Sequence, residues 1–295
     1  MKRFFDFERF VVLAEEALDT DYVKRLEKEQ FFVYGEFEDA ISQVKHYDGY
    51  YGENEQMLFN QVADAVQEVA LADESRAFPA PVAELVRMVF DEAVERGCEV
   101  MMNNYGTFFY SGRIGEVNYQ MAEKYYEMAA NAGYDVAAEN LGYIYYYGRT
   151  GKTDYAKAFI LFAKGALVFN RPISTYKLGD MYRNGYFVEK DEKAAFKLYV
   201  KAESLLEEMD EYDQMIASPD VSFRLGNCYQ KGTGTAVDLA KALEYYQLAE
   251  RGFIEKIASG DFFMEDLLQQ SIALQEEVRA ELVKGLPEMD WVIRE

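Results

Sequence analysis

The chain has 295 residues, half of them hydrophobic, with 24 Tyr, 21 Phe, only five Pro and a formal net charge of −22. A chain of this length buries about three quarters of its unfolded surface, and its apolar and aromatic content excludes disorder. The acidity argues against nucleic acid and against an anionic membrane surface as partners, since both present negative charge.

The N-terminus, Met1 to Arg9, places charges where a signal peptide needs an apolar run, and no stretch approaches the roughly 18 to 20 apolar residues of a membrane span. Cys98 and Cys228 stand 130 positions apart with no repeating cysteine pattern, so a reduced, cytoplasmic protein is expected. In chain order, Phe4, Phe7, Val11, Ala14 and Leu18 keep helical spacing, and Asp19 and Asp21 supply stop-and-cap chemistry. A second helix is expected from Asp21 and a third from Phe37 to Tyr47, followed by a loop at Asp48 to Gly52. Met57, Phe59, Val62, Val66 and Val69 mark a further helix, and a Pro-containing turn from Asp73 to Pro81 leads into a helix over 82–96 that closes on Gly97.

From here the chain repeats. Leu141-Gly142-x-x-Tyr145-x-x-Gly148 returns as Leu178-Gly179-x-x-Tyr182-x-x-Gly185 and Leu225-Gly226-x-x-Tyr229-x-x-Gly232, with an upstream copy in Tyr105-Gly106-x-x-Phe109-x-x-Gly112. Successive first glycines lie 36, 37 and 47 residues apart. Six residues after each second glycine stands a helix-capping side chain: Asn118, Asp154, Asp191 and Asp238. Alanine follows four after the cap (Ala122, Ala158, Ala195, Ala242) and an aromatic eight after it (Tyr126, Phe162, Tyr199, Tyr246). The small residues Ala129, Gly165, Ala202 and Ala249 come eleven after it. Each period is therefore two helices: the first glycine gives room at a crossing, the second ends the first helix, and Asp or Asn opens the second. Gly97, Gly133 and Asn170 fit the slot nine residues before a first glycine, so residues from about 53 read as a degenerate opening unit. Pro172 and Pro219 are expected at the start of a first helix. The ten extra residues around Glu207 to Asp213 are expected to lengthen a second helix and add an acidic loop. Asp266 to Lys284 reads as a terminal amphipathic helix.

The pattern A-x-x-L-G-x-x-Y-x-x-G, a short turn and then D-x-x-K-A resembles the Sel-one-like repeat, a short α/α relative of the tetratricopeptide repeat. Asp154 to Ala158 and Asp238 to Ala242 carry the second-helix start most closely, while the Asn118 copy has Met121 in the lysine slot. The resemblance covers residues of about 94 to 252. It implies an all-α fold, a right-handed α/α superhelix, for the repeat array at 81–252 and says nothing of residues 1–80. The spacing above reads 1–80 as a helical N-terminal region and 253–295 as a C-terminal capping helix and tail. It also implies scaffold work: binding a protein or peptide in the groove lined by the first helices.

The resemblance further suggests the groove positions, three before, one after and four after the first glycine. These are Asn103, Thr107 and Tyr110; Glu139, Tyr143 and Tyr146; Tyr176, Asp180 and Arg183; and Phe223, Asn227 and Gln230. The alternative use of those aromatics is packing between repeats, whereas Tyr145, Tyr182 and Tyr229 belong to the core skeleton. No cofactor or metal is expected, and oligomeric state stays open. The single histidine, His46, has no second His for a zinc motif and no nucleophile elbow nearby, and Gly232-Thr233-Gly234-Thr235 lacks the strand and Lys-Ser/Thr of a phosphate loop. Some secreted members of the family, linked to β-lactam hydrolysis, carry a disulfide within each repeat, which two distant cysteines cannot supply. The expectation is thus a non-catalytic scaffold. Its rivals are a functional N-terminal helical region that the repeats support or dimerise and, remotely, a hydrolase using His46.

Overall fold

A computed structural model describes residues 5–47, 52–73, 77–259 and 264–284, and no strand occurs among them. The chain is all-α. Its contacts divide it into two compact units, Met1–Lys152 and Thr153–Glu295.

The first unit holds α1 (Phe7–Leu18), α2 (Asp21–Glu29), α3 (Phe31–Lys45), α4 (Gly52–Leu71), α5 (Ala80–Glu95), α6 (Glu99–Ser111), α7 (Tyr119–Asn131) and α8 (Asp135–Tyr147). Asp6 and Thr20 cap α1 and α2 by accepting the backbone N–H of Arg9 and Val23. A single core runs from α1 into the repeats: Phe10, Phe37, Val66, Phe90 and Phe108 are fully buried in it. Phe78 meets Phe108 at 5.2 Å and Phe90 meets Tyr105 at 5.6 Å, so the N-terminal helices and the first repeat share one interior. The buried Arg113 ties these parts together. Its Nη2 donates to the carbonyls of Ala70 and Asp73, at the end of α4, and its guanidinium lies 4.4 Å from the Phe78 ring centre.

Two expectations shift here. The third helix starts at Phe31 rather than Phe37, because only Gln30 separates it from α2, whose end Gln30 closes by donating to the Leu26 carbonyl. The early start leaves Phe31 and Phe32 exposed at 75% and 76%. The loop expected at Asp48 to Gly52 falls mostly outside the described residues, with α4 already under way at Gly52, and residues 74–76 of the expected turn also lie outside them.

The second unit holds α9 (Tyr155–Leu167), α10 (Pro172–Asn184), α11 (Glu192–Glu207), α12 (Glu211–Lys231), α13 (Leu239–Ala258) and α14 (Glu265–Lys284). The repeat devices act as their chemistry requires. Gly112, Gly148 and Gly185 end α6, α8 and α10 in the left-handed conformation, at φ 74°, 63° and 71°. Asn118, Asp154, Asp191 and Asp238 accept the N–H three residues on, at 2.9–3.0 Å. Ala122, Ala158, Ala195 and Ala242 are fully buried. A Cβ added to Gly106, Gly179 or Gly226 would stand 2.7–2.8 Å from a ring carbon of Tyr126, Tyr199 or Tyr246. Helix pairs in this chain close on that contact.

The extra residues of the third repeat are distributed differently from the expectation. The second helix α11 runs to 16 residues, against 13 in α7 and α9, but the remainder forms the front of α12 rather than an acidic loop. Pro219 therefore lies inside α12, while Pro172 does open α10. Proline supplies no N–H to the turn before it. Lys256 of α13 donates to the neighbouring Ile216 carbonyl at 3.1 Å, and the proline ring sits where a Cβ on Gly252 would come within 2.4 Å of it. At the C-terminus α14 packs against α13: Val278 is buried with Ala242 and Tyr246, and Gln275 donates to Glu250 at 2.6 Å. Of the three skeleton tyrosines Tyr145 is buried, whereas Tyr182 and Tyr229 are only half-buried at the edge of their clusters.

The glycines give paired predictions. Gly226→Ala presses a methyl into the Tyr246 ring and should cost about 1–3 kcal/mol. Gly35→Ala, in α3 with nothing within 4 Å of an added Cβ, should instead stabilise by about 0.5–1 kcal/mol through helix propensity. Urea denaturation followed by circular dichroism reads both, and equal shifts in one direction would contradict the packing role of Gly226.

Candidate functional site

The twelve groove positions are on four first helices, and burial sorts them. In the first unit, Asn103 of α6 and Glu139 of α8 are 5% and 3% exposed. Asn140 donates to Asn103 at 2.9 Å, Asn103 to Asn104 at 3.3 Å and Asn104 to Gln67 at 3.2 Å, a line of amides joining α8, α6 and α4. Thr107 is exposed and shares a 3.1 Å hydrogen bond with the Tyr126 hydroxyl, while Tyr110, Tyr143 and Tyr146 are half-buried. Tyr143 stacks on Tyr147 at 5.8 Å and Tyr146 meets the same ring edge-on at 4.9 Å.

In the second unit, Tyr176 and Asp180 of α10 are 3% and 7% exposed and form the centre of an ionic cluster. Arg224 of α12 grips Asp180 with two hydrogen bonds of 2.7 Å, and its guanidinium lies 4.4 Å from the Tyr176 ring centre. The Tyr199 hydroxyl donates to Asp180 at 2.8 Å, and Lys177 stands 4.0 Å from it. Asp220 pairs with Arg224 at 3.2 Å and with Lys256 at 3.5 Å. Burial by itself would raise the Asp180 carboxyl, but the charge and hydrogen bonds of Arg224, with Lys177 and Tyr199, outweigh it and hold the group below the ordinary carboxylate value. Burial, reinforced by Asp180, pushes the Tyr199 phenol up, so it serves as a donor at neutral pH. Asn227 is buried and donates to the Phe223 carbonyl at 2.8 Å. Phe223 packs on Tyr246 and Phe253, and Gln230 accepts from the Tyr246 hydroxyl at 2.7 Å. Arg183 is half-buried.

Asn103, Glu139, Tyr176, Asp180 and Asn227 thus have side chains enclosed by the protein's own helices. Thr107, Tyr110, Tyr143, Tyr146, Arg183, Phe223 and Gln230 keep exposed surface. The four positions four residues past a first glycine (Tyr110, Tyr146, Arg183, Gln230) are all half-buried, the only one of the three columns to keep partial exposure throughout.

One exposed residue escapes the sequence pattern. Arg149 follows the C-cap Gly148, and its Nε donates to the Tyr110 hydroxyl at 3.0 Å. Its guanidinium lies 5.2–5.8 Å from the ring centres of Tyr147, Tyr119 and Tyr110. The signal available in the sequence was Arg113, which holds the same slot after Gly112.

His46 is the exposed C-cap of α3, its Nδ1 within 2.7 Å of the Ser42 carbonyl, which takes away the buried cleft that a hydrolase role for it would need. Cys98 precedes α6 as its N-cap rather than lying within the helix, and is only partly buried. Cys228 is fully buried, and desolvation pushes its thiol up to about 11. Among the described residues no group of three or more His, Cys, Asp or Glu is placed to hold a metal ion, and no helix is long and apolar enough to cross a membrane.

The Sel1 repeat family matches residues 100–134, 135–167, 172–205 and 219–251. The chain is a Sel1 repeat protein. Among solved structures it is similar to a Sel1 repeat protein from Oxalobacter formigenes, with 20% identity, a TM-score of 0.54, and 78% of this chain and 84% of that one covered. At that identity the likeness speaks for the fold alone. A sel1 repeat protein from Klebsiella pneumoniae subsp. pneumoniae (14% identity, 79% and 98% covered, TM-score 0.43) is a looser likeness that carries no argument. The same holds for a protective antigen of uropathogenic Escherichia coli displaying an SLR fold (16%, 97% and 73%, 0.35). No curated protein matches. Sel1 repeat proteins generally serve as protein–protein interaction scaffolds. In this one Asn118, Asp154, Asp191 and Asp238 each satisfy one of the free N–H groups that open a second helix, and Gly112, Gly148 and Gly185 close three of the first helices.

The Asp180 cluster carries a pH prediction. A carboxyl whose folded pKa is depressed contributes stability above its unfolded pKa of about 3.9, and that contribution is lost as pH falls through the folded value. Asp180→Asn takes the two-bond carboxylate from the buried Arg224, leaving it Asp220 alone, and should cost about 1.5–3 kcal/mol at pH 7. In urea titrations the gap between native and variant chains should narrow below about pH 4. A gap that stays constant would contradict ionisation of Asp180 as its source.

Proposed function

We propose that this Sel1 repeat protein is a non-catalytic scaffold that binds a protein or peptide through the accessible positions of its first helices. In the first unit these are Thr107, Tyr110, Tyr143 and Tyr146, and in the second Arg183, Phe223 and Gln230. The observation that carries the reading is that Tyr143 and Tyr146 keep exposed surface while their repeat's framework residues Leu141, Gly142 and Tyr145 are buried. Tyrosine and arginine combine contact area with hydrogen bonding, and both are enriched where interfaces draw most of their binding energy. The buried positions Asn103, Glu139, Tyr176, Asp180 and Asn227 then act indirectly, by fixing how neighbouring first helices stand within each unit.

A second reading rests on a specific observation: the exposed pair Phe31 and Phe32 at the head of α3 favours a contact made by the N-terminal helices. Truncating those helices would not separate the two readings, because Phe78 and the α4 core pack on Phe108 of the first repeat. Point substitutions do. Affinity capture with the full chain as bait should lose its partner in Tyr143→Ala/Arg183→Ala and retain it in Phe31→Ser/Phe32→Ser. The reverse result would transfer the function to the N-terminal helices, and retention in both variants would refute the first-helix assignment.

A further inference from the structure

Two repeats place arginine directly after the C-cap glycine, and the two guanidiniums are used differently. Arg113 is 5% exposed and receives the end of α4: its Nη2 donates to the carbonyls of Ala70 and Asp73 and reaches the Tyr22 hydroxyl at 3.4 Å, between the Phe78 and Phe108 rings. Arg149 occupies the next slot on the same backbone device, again among aromatic rings, here Tyr110, Tyr119 and Tyr147. Only its Nε is engaged, on the Tyr110 hydroxyl, and among the described residues it pairs with no carboxylate. The edge formed by Nη1 and Nη2 stays open on an exposed residue.

We propose that Arg149 and the tyrosines around it form a receptor for a carboxylate carried by a protein partner. The proposal deepens the scaffold reading and rests on it. The Nε bond and the flanking rings orient the guanidinium before any ligand arrives, so little side-chain freedom remains to be lost on binding. The two Nη groups match the two oxygens of a carboxylate, a charge-assisted bidentate pair. The Tyr110 phenol is raised above its ordinary value by burial and stays neutral at physiological pH, so it leaves the arginine charge uncompensated. Tyr147, 46% exposed and stacked on Tyr143, offers an apolar wall beside the charge for the rest of the partner residue.

The test uses the full ¹⁵N-labelled chain and three end-defined pentapeptides. One carries a single central Glu with both ends blocked, the second Gln in its place, and the third the Gln version with a free C-terminal carboxylate. The Arg149 side-chain Nε–H resonance, assigned by its loss in R149K, should move saturably with the Glu peptide and not with the blocked Gln peptide. A matching response to the third peptide would make a chain end the carboxylate source, and none would make it an acidic side chain. In R149K, followed through the backbone amides of Tyr110 and Tyr147, affinity should fall about ten-fold, since lysine offers a point charge in place of a fork. An unchanged melting temperature verifies the fold of that exposed-site variant. Equal responses to the blocked Glu and Gln peptides, or an affinity unaltered in R149K, would overturn the proposal. Either result would leave the scaffold reading to the Tyr143 and Arg183 capture experiment, which does not involve Arg149.

Discussion

The contact between a first-helix glycine and a second-helix tyrosine sets the dimensions of the repeats. With no Cβ at Gly106, Gly179 and Gly226, the ring of Tyr126, Tyr199 or Tyr246 lies flush on its partner helix, closer than any side chain would permit. Fully buried alanines at Ala122, Ala195 and Ala242 let the same pairs of helices approach one turn away. Dispersion and burial then reward a spacing that only glycine and alanine allow. The tyrosine hydroxyl extends the same contact to a polar group of the first helix: Thr107, Asp180 or Gln230. Packing and polar order are in this way coupled through one tyrosine in three of the four repeats.

In the second unit that coupling supports something costlier. The Asp180 carboxylate, reached by Tyr199, is held by Arg224, and the chain of charge continues through Asp220 to Lys256. Buried ions contribute little net stability but tolerate very few arrangements. Their effect here is to fix α10, α12 and α13 against one another near Pro219, and Lys256 also donates to the Ile216 carbonyl. The first unit reaches the same rigidity with neutral amides, from Gln67 through Asn104 and Asn103 to Asn140. Both devices turn former contact candidates into framework.

The sites where sequence and structure part company share a cause. A helix boundary such as Phe31 moved because the break before it depends on the conformation of the single residue Gln30, which carries no strong turn chemistry. The insertion lengthens α11 as its spacing predicts, but its acids, which read equally as a solvated loop, instead open α12 at Glu211, since a helix accepts such residues as readily. In the sequence, position alone does not distinguish Arg149 from Arg113; only the neighbouring rings and carbonyls do.

By itself the sequence determined the repeat: the capping Asp and Asn, the left-handed glycines, the small residues and the aromatic between them act over one turn or one helix pair, within reach of local periodicity. It likewise determined that the chain is all-α. The tertiary structure alone decided which of the twelve first-helix positions remain available, burying Asp180 and Asn103 while leaving Tyr143 and Arg183 in reach. Periodicity assigns a residue to a face of its helix, but accessibility is set by side chains that arrive from helices some forty positions away, as Arg224 does to Asp180 and Asn140 to Asn103.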